Sequence, residues 1–331
     1  GYTIALSPLF SRQIDLLCKY IKNPTQVYFV VTLFGFLISM ISWGWIVAAA
    51  ALGRSLADRI KGVNYPFLIA CTYFSNNSWV TGLSSSIPLL LNTNNNYLIK
   101  AGIIENTIST SETLGSYLNL TVIFLYVVLG TSLMLLIKPN YSKKKELKDF
   151  LVNPERFEFQ NSIEKESISQ KLPFKSISDS MNNSFYLILI IFLMGFFYVV
   201  RYFYINGFDL NLNIMIFIFF MLGLILHKSP LRFSIAMKRS SSSVSSILFQ
   251  FPFYAGIMGI MIYTGLGESL SQLIVSVSSI KTYAFFSFLL GGIVNFAIPS
   301  GGGEFAVIGP SVLEAVKTIG SGLSTIEINS M

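Results

Sequence analysis

The sequence predicts an all-α polytopic membrane protein with inverted-topology repeats, two re-entrant hairpins and broken transmembrane helices. Three observations predict it. Of 331 residues, 53% are hydrophobic and only 12% charged, a balance outside the soluble globular class. Apolar runs such as 117–137 and 185–200 approach the roughly 20 residues that cross a bilayer. Lys and Arg fall in short loops that alternate with loops poor in both, which orients the spans by the positive-inside rule.

The first repeat is expected over 1–137. Its hairpin, about 26–53, is too long for one span and is basic at both ends (Arg12, Lys19, Lys22; Arg54, Arg59, Lys61). Both ends therefore belong on the cytoplasmic side, and the chain must turn at "SWGW", Ser42–Trp45. A broken helix over about 65–91 then crosses outward, interrupted by the polar run Ser75–Ser86. Such groups are tolerated at membrane depth where broken backbone lines a cavity. Residues 92–116 are external, and the span 117–137 returns to the cytoplasm.

Residues 138–183 are polar with mixed charge and no apolar period, so they are expected to be a cytoplasmic, mobile linker. The second repeat, 184–331, has spans at about 185–204, 212–227 and 247–266, an external segment 267–281, and a second hairpin at about 283–317 that enters from the external face. His227 beside Lys228 reads as an interfacial anchor and Arg201 as a snorkelling one. Repeat logic asks for a broken helix after the second hairpin, so the second repeat is expected to be truncated at its C-terminus. With glycine at residue 1 and no signal peptide visible, the chain is expected to begin inside a longer protein.

The net charge of +7 lies in interspan loops rather than on a stripe interleaved with aromatics, which argues against nucleic acid. Cys18 and Cys71 are too few for a disulfide framework and read as packing residues. A single His, no His-Glu-x-x-His pattern and no acid-rich metal motif argue against an enzyme, and no cofactor is expected. A channel would need a continuous polar path and no ion-coupled turnover.

The polar interruptions carry the candidate chemistry. In "NFAIPSGGGEF", Asn295–Phe305, Pro299 should end one half-helix, while Gly301, Gly302 and Gly303 permit close approach of a ligand. Ser300 is then a candidate N-cap for a half-helix from about Gly303, whose N–H groups and dipole suit an anion. No Arg or Lys lies within either hairpin, so a carboxylate would be held by these dipoles. Close helix packing is the competing account of the glycines, but three in a row do not share one helix face. Asn76, Asn77, Ser78, Ser84, Ser85 and Ser86 supply neutral donors and acceptors around Trp79, and Ser42, Trp43 and Gly44 form the first tip. Trp43 and Trp79 could pack on an alkyl chain or fill space between helices. Glu304 is either an ion-coupling carboxylate or a solvated glutamate at a shallower mouth. A Na⁺ near Asn295 and Ser300 is the candidate metal position.

The blocks "ISWGWIVAAA", "YPFLIACTYF", "GLILHKSP", "FQFPFYAGI" and "VNFAIPSGGGEFAVIGP" closely resemble, in the same order, those of the bacterial short-chain fatty acid transporter family, the acetoacetate and butyrate uptake permease type. The resemblance implies secondary transport of short-chain carboxylates in a cytoplasmic (inner) membrane, driven by H⁺ or Na⁺, with ends missing at both termini. Another anion on the same fold, dicarboxylate or inorganic, is the alternative. The bilayer, the carboxylate and the coupling ion are the expected partners, and a homodimer is left open. Trp43, Gly44, Trp79, Asn295, Pro299, Ser300 and the three glycines match the family pattern and carry its site over. Ser42 departs from an Asn, "SNNSWVTGLSSS" from a more glycine-rich block, and Phe305 from a Trp. Glu304 departs from a neutral residue or His, so its role is not carried over.

Overall fold

The computed structural model describes residues 1–83, 85–139, 145–150, 162–170, 176–296, 298 and 301–321, and its regular elements are helices. Three described helices are long and apolar enough to cross a membrane: Pro24–Ile41, Tyr117–Leu136 and Phe185–Asn206. Leu248–Met261 and Leu266–Val277 are a further apolar pair, bent by 72° where Gly265 adopts φ +78°, a conformation that favours glycine. Leu212–His227 and Tyr283–Asn295 are apolar but shorter.

The chain divides into two compact units that do not follow its linear halves. The first holds 1–85, 120–208 and 213–242; the second holds 86–119, 209–212 and 243–331.

In the first unit, Asn23 starts the helix Pro24–Ile41 by accepting from Gln26 N–H at 2.9 Å, and Pro24 occupies the first helical position. The helix ends at Ser42, whose backbone is extended (φ −156°, ψ 125°), and a 3₁₀ turn Trp43–Trp45 leads into Ile46–Arg59. The two helices run antiparallel. A Cβ built on Gly35 lies 3.7 Å from Ala49 Cβ, and one on Gly53 lies 3.6 Å from Val31 Cγ1. The turn is thus where the sequence puts it, and small residues bring the arms together. Helix Tyr65–Asn76 crosses the pair so closely at Gly35 that a Cβ there would sit 2.0 Å from Ser75 Oγ. Both Cys18 and Cys71 are buried in this core, and neither forms a disulfide.

The basic ends of this unit gather together. Lys138 Nζ donates to Thr25 Oγ1 (3.1 Å), Gly62 N–H to Glu146 Oε1 (2.6 Å) and Tyr65 N–H to the Lys145 carbonyl (2.8 Å).

Three expectations need correction. The linker is not without packed structure: helix Ser162–Ser169 buries Ile163 against Ile235 and Ala236 and pairs Glu164 with Arg232 and Glu166 with Arg239. His227 is not an interfacial anchor but 1% exposed, with Nε2 2.8 Å from the Thr3 carbonyl. The segment before the 247–266 span is no loop, because one helix runs Pro230–Tyr263 with Pro252 inside it.

In the second unit the segments read as external are joined. Asn92 Nδ2 donates to Asp209 Oδ1 (2.7 Å) and to the Leu210 carbonyl (2.8 Å), and Leu212 N–H donates to Thr93 Oγ1 (3.1 Å). Lys317 Nζ donates to the Ile103 carbonyl.

Candidate functional site

The second tip is a helical hairpin within the second unit. Tyr283 Oη donates to the Val312 carbonyl at 2.7 Å, and Asn295 Nδ2 donates to Glu304 Oε2 at 2.8 Å, so Tyr283–Asn295 and Gly301–Ile319 pair antiparallel over much of their length. Helix resumes at Gly301, two residues before the sequence suggests. Glu304 therefore lies in the first turn, where a carboxylate favourably meets the helix dipole. A Cβ on Gly291 would lie 2.8 Å from Glu304 Oε1, so the carboxylate folds back over the other arm. Ile298, 7% exposed, packs with Met261, Val307 and Ile308, while Phe296 is 94% exposed. Pro299 and Ser300 lie outside the described residues, and with them the expected N-cap and the Na⁺ position beside Ser300.

The glycine run has divided duties. Gly303 is covered by Tyr254, whose Cδ2 would lie 2.5 Å from a Cβ there, so this glycine serves packing. Gly302 is different: its nearest neighbour to a built Cβ is Ser86 Oγ, at an ordinary 3.5 Å. Gly301 opens the helix and is half-buried. Ser86 begins helix Ser86–Leu91 in this unit.

In the first unit the polar run after Tyr65–Asn76 becomes a 3₁₀ turn, Asn77–Thr81, that closes the end of Pro24–Ile41. Ser78 Oγ donates to the Phe36 carbonyl (2.9 Å) and to the Ser75 carbonyl (3.1 Å), and Leu83 N–H donates to the Met40 carbonyl (2.7 Å). The Met40 carbonyl is among the last of its helix, which a helix end leaves without intrahelical partners. Ser78 is thereby committed to structure, and fully buried Ser85 bonds through its N–H to the Gly82 carbonyl. Asn76 Oδ1 is buried without a hydrogen-bond partner, and Asn77 is exposed. Ser84 lies outside the described residues.

At the first tip, Ser42 is buried, Trp43 is partly exposed and Gly44 fits under the chain start, where a Cβ would be 2.7 Å from Tyr2 N. Trp79 is half-buried. Among the described residues no group of three or more His, Cys, Asp or Glu is placed to hold a metal.

Two contributors escape a reading by motif. Tyr254 sits in "FPFYAG" with no pattern that points to Gly303. Ser311 is fully buried with an unpartnered Oγ, and only its polarity inside an apolar helix signals it.

A sequence model described as "Short chain fatty acid transporter" matches residues 1–330. This chain belongs to the short-chain fatty acid transporter family. A protein of Haemophilus influenzae named "Putative short-chain fatty acid transporter" is 31% identical over 99% of this chain and 73% of its own length. One of the same name from Escherichia coli is 32% identical over 98% of this chain and 71% of its own. No solved structure matches. The family is one of transporters rather than enzymes, and with its apolar helices the chain is a membrane protein.

Proposed function

We propose that the chain is a secondary active transporter of short-chain fatty acids and related small monocarboxylates, coupled to H⁺ or Na⁺, that works by alternating access in the cytoplasmic membrane. The observation that carries this reading is the family match, which runs through both hairpins. The helix start at Gly301 supports it, since backbone N–H groups and a positive dipole end suit a carboxylate without a cationic side chain. Gly302, unlike Gly303, leaves room for such a ligand.

Both tips are proposed to be re-entrant and related by an inverted repeat, because each joins two antiparallel helices through a break in apolar sequence. The joined basic ends of the first unit support a cytoplasmic side, and the joined 92–96 and 209–212 segments of the second support an external one.

The test is uptake of labelled butyrate and acetoacetate by proteoliposomes, with Na⁺ and pH gradients imposed separately. Saturable, gradient-dependent uptake with counterflow is expected, and counterflow separates a carrier from a channel. Absence of uptake of any C2 to C6 carboxylate under every gradient would overturn the reading.

A further inference from the structure

The second unit contains a cavity of about 660 Å³ lined by helix Leu266–Val277, the later turns of Gly301–Ile319, and Ala101 and Ile103. Ser311 forms part of its wall. This side chain is 0% exposed and its Oγ has no hydrogen-bond partner. The hydroxyl is turned toward Gly267, another wall residue, where a Cβ would come within 3.2 Å of Oγ. A buried hydroxyl without a partner is unfavourable unless something else satisfies it.

Glu268 and Glu314 line the same cavity, and among the described residues neither is in an ion pair. Lys317 lines it too, with its ammonium donating to the Ile103 carbonyl. Two carboxylates against one ammonium leave a single negative charge. Glu268 is exposed and Glu314 half-buried, and their carboxylates share this wall with the buried Ser311 hydroxyl. Together they offer hard oxygen donors, and one uncompensated charge matches a monovalent cation. Calcium takes six to eight oxygens, usually from more carboxylates than this wall offers.

We propose that this cavity, apart from the hairpin tip, is a sodium site formed by Glu268, Glu314 and the Ser311 hydroxyl. It rests on the ion-coupled reading above, in which 92–116 and 267–281 face outward, so that sodium loads from the external side. Gly267 leaves the Ser311 hydroxyl its space, and Lys317 sets the net charge.

The test is equilibrium binding of radiolabelled sodium to the full chain in detergent, alongside the sodium dependence of butyrate uptake in proteoliposomes. Saturable binding is expected, weakened roughly tenfold by Glu314→Gln or Glu268→Gln through loss of one charge-assisted contact, and less by Ser311→Ala. The same variants should raise the sodium concentration for half-maximal uptake while exchange of pre-loaded butyrate continues. No saturable sodium binding by the unaltered chain, or binding indifferent to both glutamine variants, would overturn the site. Displacement of sodium by equimolar calcium would overturn the monovalent assignment. Intact, variant-sensitive sodium binding in a chain that moves no carboxylate would instead overturn the proposed function and leave the site standing.

Discussion

Asn295 and Glu304 clasp the tip of the second hairpin: Asn295 Nδ2 donates to Glu304 Oε2 at 2.8 Å, while Oε1 lies over Gly291. The last residue of one helix is thus tied to the first turn of the next. A double-mutant cycle of Asn295→Ala and Glu304→Ala, read by thermal unfolding in detergent, should give a coupling of about 0.5–1.5 kcal/mol. Additive single effects would contradict the clasp.

Charge and clasp can be separated at Glu304. Glu304→Gln keeps an oxygen for Asn295 but removes the negative charge, so the hairpin should hold while ion dependence changes. Uptake should alter its response to Na⁺ or pH gradients more than exchange of pre-loaded substrate does. Unchanged ion dependence would assign Glu304 to the clasp alone.

The two adjacent glycines should respond oppositely to one methyl group. In Gly303→Ala the new Cβ would meet the Tyr254 ring at 2.5 Å, and such overpacking typically costs about 1–3 kcal/mol. Gly302→Ala meets nothing nearer than 3.5 Å and should unfold like the unaltered protein. If carboxylate approaches the Gly302 backbone, Gly302→Ala lowers uptake without lowering stability. Normal uptake by Gly302→Ala would remove that residue from the substrate path.

Much of the hairpin architecture was legible because Ser42–Trp45 and Asn295–Gly303 break apolar sequence locally, by residues whose backbone effects do not depend on context. What each polar group does was less legible. Ser78 reads as a ligand donor, yet it spends its hydroxyl on the Phe36 and Ser75 carbonyls, because which helix end lies beside it is a matter of tertiary contact. Gly303 reads as ligand approach for the same reason: Tyr254 lies far from it in sequence. His227 appears terminal by position, whereas burial against Thr3 comes from a segment at the other end of the chain. The long helix through Lys238 and Arg239 was hidden because its charged half has no apolar run to announce it.

The junction after the first hairpin should be intolerant at Gly82 and forgiving at Ser78. A Cβ on Gly82 would lie 1.9 Å from the Met40 carbonyl oxygen, a backbone atom that cannot turn aside as a side chain can. Gly82→Ala should therefore prevent accumulation of folded protein, measured as the monodisperse fraction after extraction. Ser78→Ala loses bonds to the Phe36 and Ser75 carbonyls and should destabilise by about 1 kcal/mol, since helix bonding already satisfies part of their capacity. Normal yield of Gly82→Ala would place Met40 elsewhere.

Helix Ser162–Ser169 offers a test of how the linker is held. Arg232 Nη2 meets Glu164 Oε1 at 2.8 Å and Arg239 Nη2 meets Glu166 Oε2 at 2.7 Å, both partly solvated, and Ile163 is buried nearby at 7% exposure. Pairs of this kind contribute about 0–1 kcal/mol each, so the double variant Arg232→Ala, Arg239→Ala should barely change global unfolding. It should nevertheless release this helix locally, because a short helix with few buried apolar contacts has little else to hold it. Limited proteolysis should then cut within 162–169 several-fold faster, and high salt should reproduce part of the effect in the unaltered chain. Ile163→Ser should accelerate cleavage without the salt dependence. A double variant cut at the original rate would show that Ile163 against Ile235 and Ala236 holds the segment without help from the arginines.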